Sequence, residues 1–375
     1  LERLQSCGVL AGPEQRHLAS LSPVGLLMPW KIDVKVDSGR NKFTLQGTAN
    51  TYGRGFSLAR ARVSCRMEMV ERFSAYLSVS GKLVRDRATP TELLYGSLEE
   101  LRRDGLTALD PNDFYLEAPY RGARLHWIRA LRVRRALGGS AREEEVYVPL
   151  QFAALFSNLD EPDLCSAPGS TGLATGLVPA QARLAGLLEI LERDAEAGLL
   201  YRKNRCFALA ASALGDEKLR VLLEDFHKLG LNVQFMDMSG ALGVPICQCF
   251  VIGAKGSLHR GHGASLSARK AILSALTETP YPYPGGGPSG PRLRRLPEVE
   301  FDALPDFSRG GPEEDLALLE ALLCANGRDP VYVDLTHAGL AFPVVRALLP
   351  GAWLCADFDS FSRVSPRLYK DYVVG

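Results

Sequence analysis

The architecture of this chain can be inferred from one stretch and its copy. Residues 53–72 read GRGFSLARARVSCRMEMVER, and residues 174–194 read ATGLVPAQARLAGLLEILERD. In both, glycine precedes a short gap and an amphipathic segment, and their glutamates and arginines coincide at an offset of 121 residues. A weaker copy, residues 261–278, keeps the glycines and the amphipathic segment but only one late carboxylate, Glu278. Internal repetition of this kind indicates one supersecondary unit that is used several times.

The spacing of apolar residues predicts that the repeated segments form helices. Apolar positions recur every three or four residues, and Ser57 and Pro179 are residue types that favour a helix start. We therefore predict helices over residues 57–76 and 179–197. Strand-like runs lie at residues 145–150, 206–210, 232–235 and 330–334. The sequence thus predicts an α+β fold of pseudo-repeated strand–helix units.

The composition is that of an ordinary globular protein. The chain has 375 residues, of which 46% are hydrophobic and 23% charged, and its formal net charge is +1. This balance excludes disorder as the main state and gives no electrostatic basis for binding nucleic acid or an anionic membrane. The eight cysteines show no metal-site or disulfide pattern, so we expect reduced thiols and a cytoplasmic location. Because the chain starts at Leu1 without a charged-then-apolar leader, we expect a fragment that carries no export signal.

Paired glutamates are the strongest chemical signal in the sequence. Glu68 and Glu71 are three residues apart, as are Glu189 and Glu192, so each pair projects from one helix face. Two such helices side by side would bring four carboxylates into one pocket, where Mg²⁺ holding phosphates would neutralise them. The arginine that follows each pair would contact the phosphate oxygens. The alternative is that each pair lies on a solvated, salt-bridged helix face.

Common nucleotide-binding motifs are absent from the sequence. No phosphate-binding loop ending in Gly-Lys-Ser/Thr occurs. The Gly-x-Gly doublets at residues 53–55 and 261–263 lack the third glycine of a dinucleotide-binding fingerprint, and we interpret both as turns. If ATP binds, we expect a carboxylate-bound metal to hold it rather than a glycine-rich loop.

Taken in order along the chain, these motifs resemble those of the YcaO family. The resemblance rests on Gly53 to Gly55 with Ser64, Glu68, Glu71 and Arg72; on Ser170 to Gly176 with Glu189, Glu192, Arg193 and Asp194; and on Gly261 to Ala264, Val333 to Thr336 and Pro343 to Gly351. It spans roughly residues 30–355. It implies an ATP-dependent enzyme that activates a peptide backbone amide: the amide oxygen is phosphorylated, a nucleophile adds to the carbon, and phosphate leaves. An adjacent Cys, Ser or Thr side chain gives an azoline, and an external sulfide donor gives a thioamide.

The resemblance also implies a site, its cofactors and its partners. It assigns the binding of ATP and Mg²⁺ to Ser64, Glu68, Glu71, Arg72, Glu189, Glu192 and Arg193, with the four glutamates as metal ligands. No catalytic nucleophile is identified. The implied partners are a peptide or protein substrate, a protein such as TfuA that delivers substrate or sulfur, and a second copy of the chain in a homodimer. We expect residues 30–375 to form the catalytic domain, and residues 1–29 an N-terminal arm or the remnant of an upstream segment.

Three positions depart from the usual pattern of the family. Thr171 and Leu177 stand where asparagine is usual, and Gln181 stands where an acidic residue is common. A leucine can neither coordinate a metal nor donate a side-chain hydrogen bond. The proline-rich carboxyl end typical of azoline-forming members is also missing, which favours thioamidation. These departures keep open a non-catalytic alternative: an accessory protein in ribosomal protein methylthiolation, or a scaffold with a degenerate ATP site.

The segment 280–312 is predicted to form a long loop. It contains 14 proline or glycine residues in 33 positions, which disfavours regular structure. We predict that it covers the nucleotide site as a mobile lid, with Arg292, Arg294 and Arg295 closing on phosphates. The alternative is a surface insertion that makes no contact with the site.

Two other features are assigned structural roles. His262, between glycines, could reach a substrate, but a polar loop histidine is the commoner case, and we interpret it as one. Cys247 and Cys249 could form a redox or metal pair, but because they lie in an apolar run we predict that both thiols occupy one face of a strand as small hydrophobes.

Overall fold

The structure of the chain is a computed structural model. It describes residues 1–156, 159–164, 169–199, 205–210, 216–291, 293 and 296–353. Arg292, Arg294 and Arg295, the arginines of the predicted lid, lie outside these residues.

Single helices are separated by runs of one to four strands along the described chain after Gly55. The helices are α1 (Glu2–Ser6), α2 (Leu58–Ala75), α3 (Leu98–Arg103), α4 (Leu150–Ala153), α5 (Pro179–Ala197), α6 (Glu217–Lys228), α7 (Ala268–Glu278) and α8 (Pro312–Ala325). The strands are β1 (Gln15–Arg16), β2 (Val24–Asp37), β3 (Lys42–Gly55), β4 (Val79–Ser80), β5 (Leu83–Val84), β6 (Thr91–Glu92), β7 (Leu94–Gly96), β8 (Leu125–Arg135), β9 (Ala141–Pro149), β10 (Leu173–Thr175), β11 (Arg205–Leu209), β12 (Gln234–Asp237), β13 (Ile246–Ile252), β14 (Leu258–Ala264), β15 (Glu298–Val299), β16 (Val331–Asp334) and β17 (Val344–Leu348). Within the described residues, no helix has the length and apolar character needed to cross a membrane.

The strands form three sheets in the described part of the chain. The first has the order β1-β2-β4-β5-β6, with β3 paired to β2; the second has the order β10-β17-β16-β8-β7, with β9 paired to β8. The third has the order β14-β13-β12-β11-β15. In the second sheet, β10 pairs antiparallel with β17 so that Leu173 lies opposite Arg346. This pairing joins two parts of the chain that are far apart in sequence.

The two glutamate-bearing helices begin where the sequence predicts. The Ser57 hydroxyl accepts a hydrogen bond from the backbone N–H of Arg60 and caps α2, and Pro179 occupies the first turn of α5. Helix α2 packs against β2 and β3, and α5 packs against β10, β17 and α8. Helix α7 packs against β13 and β14. Each of the three related segments is therefore a strand followed by a helix.

The glycine doublets lie in strands, and the prediction that they form turns is wrong. Gly53 lies near the end of β3, and a Cβ atom on it would stand 2.0 Å from the carbonyl oxygen of Ala61 in α2. Gly263 lies in β14, and a Cβ atom there would stand 2.3 Å from the carbonyl oxygen of Ala271 in α7. Glycine is needed because each helix folds back directly against the backbone of its own strand.

The N-terminal residues pack onto the rest of the protein. Leu4 and Val9 are buried in the hydrophobic core that includes residues of β2 and α2. The predicted boundary between residues 29 and 30 falls inside β2. The division into an arm and a catalytic domain stays a prediction.

The Pro/Gly-rich segment is anchored along the third sheet. The backbone N–H of Gly290 donates to the carbonyl oxygen of Ile252 (2.7 Å), and the backbone N–H of Asn232 donates to the Ser289 hydroxyl (2.8 Å). The prediction that residues 280–312 lack regular structure is wrong in part, because β15 pairs with β11 and residues 301–303 form a 3₁₀ turn. Prolines and glycines concentrate before residue 292, which leaves the later residues able to pair. A lid role stays a prediction.

The cysteine pair behaves as predicted. Cys247 and Cys249 lie on β13 and are buried in the core between the third sheet, α6 and α7. Burial raises the pKa of the Cys249 thiol to about 12, so it remains protonated at neutral pH. Both residues act as small apolar side chains.

Candidate active site

Helix α2 supplies the first pair of carboxylates. Glu68 accepts a hydrogen bond of 2.8 Å from the backbone N–H of Tyr52, and its Oε1 lies 3.7 Å from Nη2 of Arg72. Glu71 lies one turn further along, with Arg72 Nε 3.7 Å from its Oε1. The two glutamates and the arginine thus share one helix face, as their spacing predicts.

Helix α5 supplies the second pair in a similar way. Glu189 accepts a hydrogen bond of 3.2 Å from the backbone N–H of Gly172, just as Glu68 does from Tyr52. Glu192 is only 8% exposed, and Arg193 Nη2 lies 3.3 Å from its Oε1. In each helix, the first glutamate is tied to the backbone of the segment that precedes the helix.

The four carboxylates form one electrostatic cluster. Burial raises the pKa of Glu71 to about 8, opposed by Arg72 and reinforced by repulsion from Glu189 and Glu68. Burial raises the pKa of Glu189 to about 7, and burial with repulsion from Glu278 raises that of Glu192 to about 8. At neutral pH the cluster therefore needs bound protons or a cation.

A further carboxylate, Glu278, lies near the cluster and is paired with a further arginine, Arg54. Burial raises the pKa of Glu278, at the end of α7, although 43% of its side chain remains exposed. Arg54 Nη1 in β3 lies 4.0 Å from its Oε1. The sequence identifies Glu278 as the late carboxylate of the third copy, which would lie near the same pocket if the three units pack as repeats, and the structure places it close enough to raise the pKa of Glu192. No local pattern indicates Arg54.

Arg346 is a buried arginine near the cluster, and only 1% of its surface is exposed. Its guanidinium donates hydrogen bonds to the carbonyl oxygens of Ala153 (3.1 Å), Thr171 (2.7 Å) and Gly169 (2.9 Å). Burial lowers its pKa to about 10, while the nearby carboxylates, above all Glu189, oppose that shift. Arg346 is a buried positive charge that acts on Glu189 and Glu71, and the sequence marks it only as part of a late motif.

Several predicted or departing positions lie outside the cluster. Ser64 is exposed on α2. Leu177 is 70% exposed, and its backbone N–H, just before α5, donates to the Gln181 side chain (2.9 Å). Thr171 contributes its carbonyl oxygen to Arg346. The nucleotide-binding role of Ser64 stays a prediction.

His262 is a buried strand residue, so the loop assignment is wrong. It lies in β14, is 6% exposed, and its Nε2 donates a hydrogen bond of 3.0 Å to the side-chain oxygen of Gln248. The neighbouring glycines, Gly261 and Gly263, allow α7 to cover this strand closely. Burial lowers the pKa of His262 to about 4, so the ring is neutral at pH 7.

The donor set of the cluster suits Mg²⁺. Magnesium prefers carboxylate oxygens, and crowded carboxylates with raised pKa values gain most from a cation. In the described part of the chain, no three His, Cys, Asp or Glu side chains are placed to hold a metal ion together. Glu68 and Glu189 instead face backbone N–H groups. Metal binding at this cluster therefore requires side-chain rotation within an otherwise suitable donor set.

A buried carboxylate cluster flanked by arginines defines the class of site in which a divalent cation can hold a polyphosphate. Residues 52–280 match the model of the YcaO family. That family is described as YcaO cyclodehydratases that bind ATP and Mg²⁺. The chain belongs to the YcaO family.

Two curated proteins are similar to this chain in sequence. An uncharacterized protein of Methanothermobacter thermautotrophicus is 27% identical over 355 residues, which cover 86% of each chain. A protein of Rhizobium leguminosarum bv. trifolii, described as lying in the tfuA 3′ region, is 27% identical over 202 residues, which cover 52% of this chain and 43% of that one.

Solved structures share the fold. A heterocyclase in complex with substrate and cofactor superimposes with a TM-score of 0.69 at 16% identity, covering 94% of this chain and 52% of that chain. This chain thus spans about half the length of that heterocyclase. YcaO from Methanopyrus kandleri, bound with AMPPCP and Mg²⁺, superimposes with a TM-score of 0.61 at 22% identity, covering 94% and 88% of the two chains. Both similarities confirm the α+β fold.

Proposed function

We propose that this protein uses ATP and Mg²⁺ to activate a backbone amide of a peptide or protein, and that the product is a thioamide or an azoline. The observation that carries the proposal is the cluster of Glu71, Glu189 and Glu192, whose burial raises all three pKa values. Such a cluster is costly to keep in a fold unless a cation neutralises it. Two relatives point the same way, since one is a heterocyclase with substrate and cofactor and another binds AMPPCP and Mg²⁺.

Different residues of the chain would bind Mg²⁺ and the phosphates of ATP. Glu68, Glu71, Glu189 and Glu192 would hold Mg²⁺, which when bound would neutralise phosphate charge during transfer. Arg193 and Arg72, each within 3.7 Å of a cluster carboxylate, would turn to the phosphate oxygens once that carboxylate is engaged. The buried positive charge of Arg346 would stabilise the carboxylates of Glu189 and Glu71.

The proposed reaction moves one phosphoryl group and one oxygen. The amide oxygen takes the γ-phosphoryl group of ATP and ADP leaves; a sulfur or oxygen nucleophile then adds to the amide carbon. Phosphate departs with the former amide oxygen, so each turnover consumes one ATP. We favour thioamidation, because one relative is described as lying in the tfuA 3′ region. A TfuA-like protein is accordingly the proposed sulfur-supplying partner.

Equilibrium binding of ATP, with and without Mg²⁺, tests the proposal most directly. Isothermal titration should show binding that depends on Mg²⁺ in the native protein and is weakened in Glu189→Gln. Glu224→Gln, which alters a partly exposed glutamate paired with Arg220 on α6, serves as the control and should bind normally. Binding that is equally tight without Mg²⁺, or absent at millimolar ATP, would refute the metal–nucleotide site.

A non-catalytic accessory or scaffold protein is the second candidate. The observation that favours it is Leu177, which is 70% exposed and offers only its backbone to Gln181. If the native protein fails to bind ATP but still binds a peptide or protein partner in a pull-down with purified components, this candidate replaces the first.

A further inference from the structure

We propose that Glu196 is a positioning residue, which holds the guanidinium of Arg193 in place for the nucleotide phosphates and is itself fixed by Arg260 and His262 of the third sheet. The inference rests on the proposed function, because that function makes Arg193 a phosphate ligand. Glu196 belongs to none of the motifs that the sequence displays. It lies one helical turn beyond Glu192 on α5.

The guanidinium of Arg193 contacts two carboxylates, those of Glu192 and Glu196. Its Nη1 donates a hydrogen bond of 2.9 Å to Oε2 of Glu196, and its Nη2 lies 3.3 Å from Oε1 of Glu192. If Glu192 turns to a cation, Nη2 is released while Nη1 stays anchored. A planar guanidinium held at one end presents its other N–H groups in a fixed direction, which suits recognition of phosphate oxygens.

Glu196 is in turn held from the third sheet. Its Oε1 lies 3.6 Å from Nη2 of Arg260 and 3.9 Å from Nε2 of His262, both in β14. Its side chain is 12% exposed. Glu196 thus accepts a hydrogen bond from Arg193 of α5 and lies beside the charge of Arg260 in β14, so two separate elements of the fold act on its orientation.

The neutral state of His262 matters for this arrangement. Nε2 of His262 is committed to Gln248, and burial keeps the ring uncharged at pH 7. An uncharged ring supports the Glu196 carboxylate sterically without competing with Arg193 for its negative charge. The third strand–helix unit thus contributes to the nucleotide site through Glu196 as well as through Glu278.

A double-mutant cycle with Mg²⁺–ATP affinity as the readout tests the inference. Glu196→Gln keeps the size of the side chain and should weaken binding about tenfold, because a charge-assisted hydrogen bond to Arg193 is weakened. In an Arg193→Met background, the same substitution should change the affinity less than about twofold, because the group it positions is gone. Glu224→Gln, from the Arg220–Glu224 pair on α6, is the matched control and should bind as the native protein does.

Each outcome of the cycle has a defined meaning. An equal loss of affinity in both backgrounds, or no loss from Glu196→Gln, overturns the positioning role while the proposed function stands. Failure of the native protein to bind Mg²⁺–ATP overturns the proposed function and this inference together. If Glu196→Gln melts at a much lower temperature, Glu196→Asp, which keeps the charge but shortens the reach by one methylene, replaces it in the cycle under the same criteria.

Discussion

Replacing Glu192 with glutamine removes one charge from the carboxylate cluster without changing the size of the side chain. Burial and the nearby Glu278 raise the pKa of Glu192 from 4.5 to about 8. A carboxyl group whose pKa is raised by folding stabilises the folded state most at low pH, and this contribution is lost as the pH rises through the folded-state value. Glutamine does not titrate, so the variant should lack this part of the loss.

The expected size of the effect follows from the two pKa values. With 4.5 in the unfolded chain and about 8 in the folded protein, the loss between pH 5 and pH 9 is on the order of 4 kcal/mol. Urea denaturation in EDTA at pH 5, 7 and 9 measures it. The metal-free variant should lose less unfolding free energy than the native protein over this range, and its Mg²⁺-dependent ATP hydrolysis should be abolished.

Glu224→Gln on the surface of α6 controls for general effects of losing one negative charge, and its pH profile should follow that of the native protein. Parallel profiles for the native protein and Glu192→Gln would refute the argument, because they would mean that the Glu192 charge is not strained in the metal-free fold. An unchanged hydrolysis rate would refute the assignment of Glu192 to the metal site.

Three further outcomes are expected. If the nucleotide site of the family survives at this position, Leu177→Asn should tighten ATP binding tenfold or more in calorimetry, since a hydrogen bond to a charged group contributes about 1.5–3 kcal/mol; unchanged affinity would count against this position as part of the site. Limited proteolysis within residues 285–311 should slow when Mg²⁺–ATP is added, and equal cleavage rates in both states would contradict the lid. Gly53→Ala should cost several kcal/mol in urea denaturation, because its Cβ atom would stand 2.0 Å from a carbonyl oxygen of α2. Gly47→Ala, in open space on the same strand, should cost less than about 1 kcal/mol, and similar losses in both variants would contradict this packing argument.

Local signals explain why α2 and α5 were predictable. A capping serine, a proline in the first turn and glutamates three residues apart act within one helix, so the sequence alone carries them. That the two glutamate pairs would meet also followed, since two matching helices in repeated units tend to occupy related positions.

Long-range neighbours explain why the rest of the site was not predictable. Arg346 reaches the cluster through the pairing of β10 with β17, and Arg54 reaches Glu278 through the packing of α7 near β3. Neither contact leaves a local pattern in the sequence. The prediction that the glycine doublets form turns fails for a related reason. Glycine is typical both of turns and of strands that a helix covers closely, and only the position of the helix distinguishes the two cases.

The pairing of β10 with β17 has a consequence for the order in which the chain can mature on the ribosome. Arg346 is made about 150 residues after Glu189, which at ordinary elongation rates is a delay of about 10 to 30 seconds. During that interval the nascent helices α2 and α5 carry acidic groups whose buried counter-charge does not yet exist. The half-made chain should therefore keep these helices apart, and the acidic interior should close only when β17 has been synthesised.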